Sequence, residues 1–181
     1  MLKKIKKKRE NAVLVPRYES LFEETYESKF SSISRPLEEG RADYTALYLV
    51  FAKKAQKIFE FKEEEYEDVI YNMWMMQFIG GICGIGFYSN GKWSHPYSQE
   101  RFIFLNYVFK NQEKGKEIIS FNIDENNNAF KIMINKQNLI KYGKSIAGKI
   151  LMTIHIAKCI GDVTSAENFV KQYQHVDEYI A

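Results

Sequence analysis

The spacing of apolar positions predicts helices over most of the chain and strands in one stretch. A period near 3.6 residues runs through most segments, whereas in one stretch apolar and polar residues alternate. The predicted helices cover residues 36–52, 62–87, 93–112 and 143–160, together with a short helix after Asn135 and a last helix that begins at Asp162. Residues 117–123 and 129–134 flank an Asn-rich turn and predict a β-hairpin. The pattern indicates a mainly α fold of the α+β class, a helical bundle-like domain of about six helices with one β-hairpin.

The longest helical pattern, residues 62–87, predicts the central element of the domain. Its middle, Ile70–Ile79, is apolar on nearly every side, and a helix without a polar face is usually buried. Four glycines follow between residues 80 and 86. They are irregularly spaced and no strand pattern precedes them, which does not match a phosphate-binding loop. We therefore interpret them as points of close helix packing.

Length and composition are typical of one globular domain. Of the 181 residues, 45% are hydrophobic and 15% aromatic, which suffices for a core and is too many for a disordered protein. No apolar run reaches the roughly 18 residues that cross a bilayer, and the lysine-rich start lacks the apolar core of a secretory signal. We therefore expect an intracellular, cytoplasmic protein without a membrane partner. Cys83 and Cys159 lie in apolar surroundings and are predicted to be reduced core residues.

The amino-terminal segment is strongly basic, although the whole chain has a net charge of only +3. Six of its first nine residues are cationic, namely Lys3, Lys4, Lys6, Lys7, Lys8 and Arg9. Like charges at this density repel one another unless an anion lies alongside, so residues 1–16 are predicted to be a tail outside the domain of residues 17–181. The tail is either a solvated terminus or a contact for phosphates, which lysines bind without reading sequence. The second interpretation predicts RNA or a ribonucleoprotein as partner and no DNA specificity.

A cluster of charged residues stands at the start of the first long predicted helix. Glu38, Glu39, Arg41 and Asp43 follow Pro36, a residue that suits the first helical turn. Acids in that position are favoured by the positive end of the helix dipole. Adjacent carboxylates on a buried helix are costly unless a cation compensates them, so a metal-binding or acid/base cluster is the alternative. The spacing alone leaves both interpretations open.

Several segments around this cluster resemble a known family. Residues 38–43, Glu-Glu-Gly-Arg-Ala-Asp, are similar to the motif E-E-C-R-A-E/D, and residues 26–33, Tyr-Glu-Ser-Lys-Phe-Ser-Ser-Ile, are similar to W-D-S-K-F-S-T-I. Both motifs belong to the dipeptidyl peptidase III family of zinc metallopeptidases. Residues 67–71, 86–88, 99–102 and 158–163 resemble later segments of that family in the same order. The similarity extends over roughly residues 17–176 and indicates the carboxy-terminal part of the family's catalytic lobe.

The resemblance implies roles for three acids of the cluster. In the family the second Glu of the motif is a zinc ligand, and Glu39 is the matching position. Glu38 and Asp43 match positions that hold the ligand histidines in place. Gly40 stands where the family has Cys.

Two departures from the family predict that the chain is not an enzyme. The family's H-E-x-x-G-H helix supplies the other zinc ligands, but His95, His155 and His175 are the only histidines here, and no two lie three to five residues apart. Tyr97 replaces a substrate-stabilising histidine four residues before Arg101, and a phenol cannot replace an imidazole near neutral pH. We therefore predict no catalytic residue, no cofactor, and zinc only where a partner chain supplies histidines. His95 is expected to point away from Tyr97 because both would lie on one helix.

Three functions are consistent with these features. The first is a non-catalytic binding factor whose basic tail binds RNA or a ribonucleoprotein such as the ribosome, as a dormancy or translation-silencing factor. The second is a fragment or subunit of a zinc dipeptidyl peptidase whose other ligands come from another chain. The third is a protein–protein scaffold. Peptide substrates are not expected for the chain alone, and Met1 followed by a tail unlike the family predicts a natural truncation.

Overall fold

The computed structural model describes residues 24–124 and 129–176. The α-helices of this part of the chain are α1 (Tyr26–Phe30), α2 (Ser34–Leu49), α3 (Lys53–Ile58), α4 (Tyr66–Cys83), α5 (Pro96–Asn111), α6 (Lys136–Ile160) and α7 (Val163–Gln174). Short 3₁₀ turns cover Ser31–Ile33, Glu63–Glu65 and Gly84–Phe87. The strands form two antiparallel pairs, β1 (Tyr88–Ser89) with β2 (Lys92–Trp93) and β3 (Ile119–Asp124) with β4 (Ala129–Ile134). The predicted mainly helical class and the predicted β-hairpin are confirmed.

The two hairpins differ in how they are closed. Asn90 and Gly91 connect β1 to β2 with positive φ angles of 51° and 75°, as a tight turn of the type I′ class requires and as Asn-Gly favours. Strands β3 and β4 pair with Ile119 opposite Ile134. Residues 125–128 of the predicted Asn-rich turn lie outside the described residues.

The aromatic centre of the core lies where α2, α4 and α5 meet. Trp74 and Phe78 on α4 and Phe104 on α5 are fully buried, together with Tyr44 on α2. The ring centres of Trp74 and Phe104 lie 5.2 Å apart, and those of Tyr44 and Phe104 lie 5.1 Å apart. Burial of each large apolar side chain contributes about 1.5–3 kcal/mol. This aromatic junction fixes the position of α2, the helix that carries the acidic cluster.

Glycine lets α4 and α5 approach closely. A Cβ atom at Gly81 would lie 2.8 Å from the backbone oxygen of Arg101, and one at Gly84 would lie 2.8 Å from the Cβ of Ser98. Backbone atoms cannot move aside as the end of a side chain can, so the approach at Gly81 requires glycine. The packing interpretation is confirmed at these two positions. At Gly86, by contrast, an added Cβ would meet no described atom within 4 Å.

One predicted helix boundary is wrong. The short helix after Asn135 and the helix predicted from Gly143 are a single element, α6, which runs unbroken from Lys136 to Ile160. The side chain of Asn135 caps it by accepting a hydrogen bond from the backbone N–H of Asn138 at 3.0 Å. Glycine destabilises a helix interior. At position 143 it is nevertheless required for packing, because a Cβ of Gly143 would lie 2.9 Å from the ring of Phe51.

Helix α4 is buried on one side only, so the prediction of burial all round is wrong. Met76 is 63% exposed and Ile79 is 40% exposed, whereas Trp74 has no exposed surface. By length and composition alone, Glu63–Phe87 is long and apolar enough to cross a membrane, and 33% of its most apolar window is buried. The central helix of a water-soluble protein satisfies the same criterion, and α4 carries the core residue Trp74.

The two cysteines do not lie in the core. Cys83, the last residue of α4, is exposed, and Cys159 near the end of α6 is half-buried. Both thiols are free. Their predicted burial is therefore wrong, because apolar neighbours in sequence do not determine which side of a helix packs against the core.

Candidate functional site

The acidic cluster lies in the middle of α2 and divides between two faces of that helix. The prediction that these acids stand in the first turn is wrong, because α2 begins at Ser34 and its first turn contains no acid. Glu39 and Asp43 are one turn apart and face α5, where they approach Tyr97 and Arg101. Glu38 faces α1 and α6. The structure therefore separates the three predicted site acids into a pair and a single residue.

Glu38 is held by two cations. Arg41 Nε donates to Glu38 Oε1 at 3.0 Å, and Lys158 Nζ of α6 donates to Glu38 Oε2. These hydrogen bonds, led by that of Arg41, lower the pKa of Glu38. Lys158 Nζ also lies 4.3 Å from the ring centre of Tyr26, a cation–π contact. Glu38 thus links α2 to α6 through Lys158 and lies beside Tyr26 of α1.

Glu39, the position that the resemblance matches to a zinc ligand, faces a phenol. A hydrogen bond with Glu39, and next the negative charge of that carboxylate, raise the pKa of the Tyr97 hydroxyl. Tyr97 lies near the start of α5 and is 46% exposed. The carboxylate at this position therefore already has a partner within the chain.

His95 lies beside Tyr97, contrary to the prediction. Helix α5 begins at Pro96 and not at Trp93, so His95 precedes the helix with extended backbone. Its ring centre lies 5.7 Å from that of Tyr97 and 5.1 Å from that of Phe87. Because His95 is not on the helix, the helical geometry that would direct it away does not apply.

Asp43 approaches a buried carboxyl group that the sequence analysis did not identify. Glu100 on α5 has no exposed surface, and Gln77 Nε2 of α4 donates to its two oxygens at 3.2 and 3.3 Å. Burial, and next the negative charge of Asp43, raise the pKa of Glu100 well above its ordinary value. Arg101 Nε lies 3.7 Å from Asp43 Oδ2 and 3.6 Å from Glu100 Oε1. The group therefore contains two carboxyls that share one cation and favour retention of one proton.

The inward orientation of Glu100 was predictable in part from the sequence. It lies four residues before Phe104, so a helix that buries Phe104 also turns Glu100 inward. Gln77 stands one position before Phe78 within the apolar run of α4. Their meeting across two helices has no sequence signal, since it depends on how α4 and α5 pack.

The residues of the described part of the chain do not fit a zinc ion on their own. A catalytic zinc takes about three protein ligands and an open position. In residues 24–124 and 129–176, no three His, Cys, Asp or Glu side chains form a group that could hold a metal ion. His155 lies 3.6 Å from Cys159 Sγ on α6 and is not part of the Glu39 group. Chemistry at Glu39 that requires zinc would need ligands from outside these residues.

The predicted nucleic-acid-binding residues lie outside the described residues. They are Lys3, Lys4, Lys6, Lys7, Lys8 and Arg9. The same holds for the predicted boundary between the tail and the domain at residue 16. Their role as an RNA contact stays a prediction.

Comparison with known proteins gives consistent matches. A model of peptidase family M49 matches residues 8–181. Dipeptidyl peptidase 3 of Rattus norvegicus is 26% identical over 157 residues, which are 86% of this chain and 21% of that protein. Dipeptidyl peptidase 3 of Dictyostelium discoideum is 27% identical over 164 residues, 87% of this chain and 23% of that protein. Dipeptidyl peptidase 3 of Homo sapiens is 27% identical over 157 residues, which are 86% of this chain and 21% of that protein. The chain spans about a fifth of the length of these relatives.

Proposed function

Because this chain belongs to peptidase family M49, we propose that it is a non-catalytic binding protein built on a carboxy-terminal part of that family's catalytic lobe. Its basic amino-terminal segment binds RNA or a ribonucleoprotein such as the ribosome, in the cytoplasm. One observation supports the non-catalytic part above all. Each acid of the cluster already faces a partner in the same chain: Glu38 faces two cations, Glu39 a phenol, and Asp43 an arginine and a second carboxyl.

In these contacts the carboxylates connect helices of the domain. A ligand carboxylate must offer an oxygen to the metal, and its neighbours must accept from the ligand histidines. Here Asp43 is engaged with Arg101 and Glu100 on α5, and Glu38 links α2 to α6. The acids that the family uses around zinc would thus act in this chain as bonds between helices.

The basic segment supports the choice of an anionic partner. Six cations in nine residues release counterions when they lie along phosphates, which strengthens binding without base recognition. Lys3, Lys4, Lys6 and Lys7 precede the residues that match the family, which begin at residue 8. Occupation of a functional site on the ribosome by such a protein would silence translation, and this predicts a dormancy-type role.

A second candidate function is a subunit of a zinc dipeptidyl peptidase whose histidines come from another chain. The observation in its favour is the position of Glu39, which is only half-buried and stands beside the half-exposed Tyr97. A helix from another chain would therefore meet Glu39 at the surface. Under this alternative the complex with that chain would contain zinc and would not need RNA.

Sedimentation of the native protein with and without nuclease separates these functions. We expect the full chain to sediment with ribosomes or other ribonucleoprotein in a cell extract at low salt, and to be released by nuclease or by high salt because phosphates hold it. A complex that survives both treatments would contradict the proposal. Such a complex would support a protein–protein scaffold if free of zinc, and the split peptidase if zinc remains bound.

A further inference from the structure

Three aromatic side chains form a row on the surface beside Glu39; we call Phe87, His95 and Tyr97 the aromatic row. The ring centres are 5.1 Å apart for Phe87 and His95 and 5.7 Å apart for His95 and Tyr97. Neighbouring rings are inclined by only 36° and 37°, so none meets the next edge to face. All three side chains are exposed, Phe87 by 48% and Tyr97 by 46%. Contiguous exposed apolar groups mark interaction sites more often than scattered ones do.

The hairpin of β1 with β2 holds this row in place. Ser94, which follows β2, donates from its backbone N–H and from its hydroxyl to the backbone oxygen of Phe87 at 2.9 and 3.1 Å. Phe87 therefore lies beside His95 although eight residues separate them. The Nδ1 atom of His95 lies 3.4 Å from the Oγ of Ser98, which orients the imidazole ring. A surface whose rings are already in position loses little entropy when it binds a ligand.

Glu39 places a carboxylate at the Tyr97 end of the row. In the described part of the chain Glu39 forms no ion pair with a cation, whereas Glu38 and Asp43 each do. A carboxylate offers about four acceptor positions, and the Tyr97 hydroxyl occupies one of them. The remaining positions are available to N–H donors of a ligand that lies on the rings.

Rings beside a carboxylate suit an unpaired nucleobase, because bases stack on aromatic side chains and form hydrogen bonds along their edges. A carboxylate only accepts hydrogen bonds, so it selects the base with two adjacent donors. Guanine presents a ring N–H and an amino group side by side on its Watson–Crick edge. Adenine and cytosine place an acceptor nitrogen next to the amino group, and uracil has a carbonyl on each side of its ring N–H. A carboxylate repels those acceptors.

We propose that Glu39 and the aromatic row bind the guanine base of single-stranded RNA. The choice of RNA as the source of the base rests on the proposed function. The basic amino-terminal segment would supply affinity for phosphates without base preference, and this site would add the preference for one base. A free guanine nucleotide presents the same edge without the neighbouring phosphates, so the test includes it as well.

Titration of the full chain with two fluorescent oligouridines tests the site, one with a single central guanosine and the other with a central adenosine. We expect wild type to bind the guanosine oligonucleotide at least about 10-fold more tightly. Glu39→Gln should bind the two within about threefold of each other. The matched control is Glu64→Gln, which makes the same charge change at an exposed residue of another surface and should keep the preference.

Two further measurements test the hydrogen bonds and the rings separately. An oligouridine with a central inosine lacks only the amino group of guanine, so wild type should bind it at least about threefold more weakly than the guanosine oligonucleotide. This comparison needs no variant and stays decisive should Glu39→Gln not fold, as judged by circular dichroism. Phe87→Ala removes a stacking surface and should weaken binding of the guanosine oligonucleotide about 5-fold or more.

The outcomes that would overturn the guanine site differ from those that would overturn RNA binding. Equal affinity of wild type for the two oligonucleotides, or an unchanged preference in folded Glu39→Gln, would refute the guanine site and leave the basic segment as the RNA contact. Binding of neither oligonucleotide would refute the RNA proposal. Guanosine monophosphate then tests the site by itself: shifted NMR signals of the His95 and Tyr97 rings, with none from adenosine monophosphate, would support a site for free guanine nucleotides, and unshifted signals would refute it.

Discussion

Replacing the six cations of the amino-terminal segment with glutamine will weaken RNA binding by about 100-fold at low salt, and it will flatten the dependence of affinity on salt. The substituted residues are Lys3, Lys4, Lys6, Lys7, Lys8 and Arg9. Each cation that neutralises a phosphate releases a counterion, with a slope of about −0.7 to −0.9 per contact in a plot of log affinity against log salt. Titration of fluorescent RNA at several salt concentrations measures both quantities.

A control with the same charge change tests whether position matters. Exposed lysines on α3 and α6 supply six replacements: Lys53, Lys54, Lys57, Lys141, Lys144 and Lys149. Lys53 lies 3.8 Å from Glu63 and near further acids, which would repel a phosphate backbone. We expect this variant to lose less than about tenfold in affinity. Equal losses in the two variants would assign binding to net charge alone, and an unchanged affinity in the tail variant would refute the tail contact.

Glu100→Gln will stabilise the protein at neutral and alkaline pH. The folded state raises the pKa of Glu100 through burial and through Asp43, so folding favours the protonated carboxyl. The stability that this proton provides is complete below the ordinary carboxyl pKa and is lost as the pH rises through the pKa of the folded state. Glutamine is neutral at every pH and can still bond with Gln77. We therefore expect a gain of about 1–3 kcal/mol in the free energy of unfolding at alkaline pH.

Urea unfolding at a series of pH values measures this effect. Wild type should lose stability from about the ordinary carboxyl pKa upward, and Glu100→Gln should not. Asp43→Asn removes the neighbouring charge and should flatten the same limb in part. Glu113→Gln, on the exposed segment after α5, is the control and should keep the wild-type slope. Lower stability of Glu100→Gln than of wild type at neutral and alkaline pH would contradict a protonated Glu100 in the folded chain.

The elements that follow from local periodicity were predictable from the sequence. Helix α2, the hairpin of β3 with β4 and the Asn90–Gly91 turn depend on residues close together in the chain. The continuity of α6 through Gly143 was not predictable, since the gap that favours glycine there is made by Phe51 from a distant segment. The exposure of Met76 was not predictable either, because it depends on which distant segments pack against α4. Periodicity indicates which residues are apolar and does not reveal whether a covering partner exists.

For the candidate site, the sequence predicted the acids on α2 and did not predict the residues that they contact. The motif placed Glu38, Glu39 and Asp43 on one helix, as observed. What each acid contacts was not accessible, because Lys158 and Glu100 approach α2 from helices far away in sequence. These long-range partners distinguish carboxylates that are available to a metal ion from carboxylates whose charge is balanced by residues of the same chain.

The most direct test of this account is the zinc content and peptidase activity of the purified full chain, measured beside Glu39→Gln. If the acids are compensated by their own chain, both proteins will contain far less than one zinc per chain after equilibration with the metal. Neither will release dipeptides. One zinc per chain in wild type that is lost in Glu39→Gln, with or without peptide hydrolysis, would contradict the account.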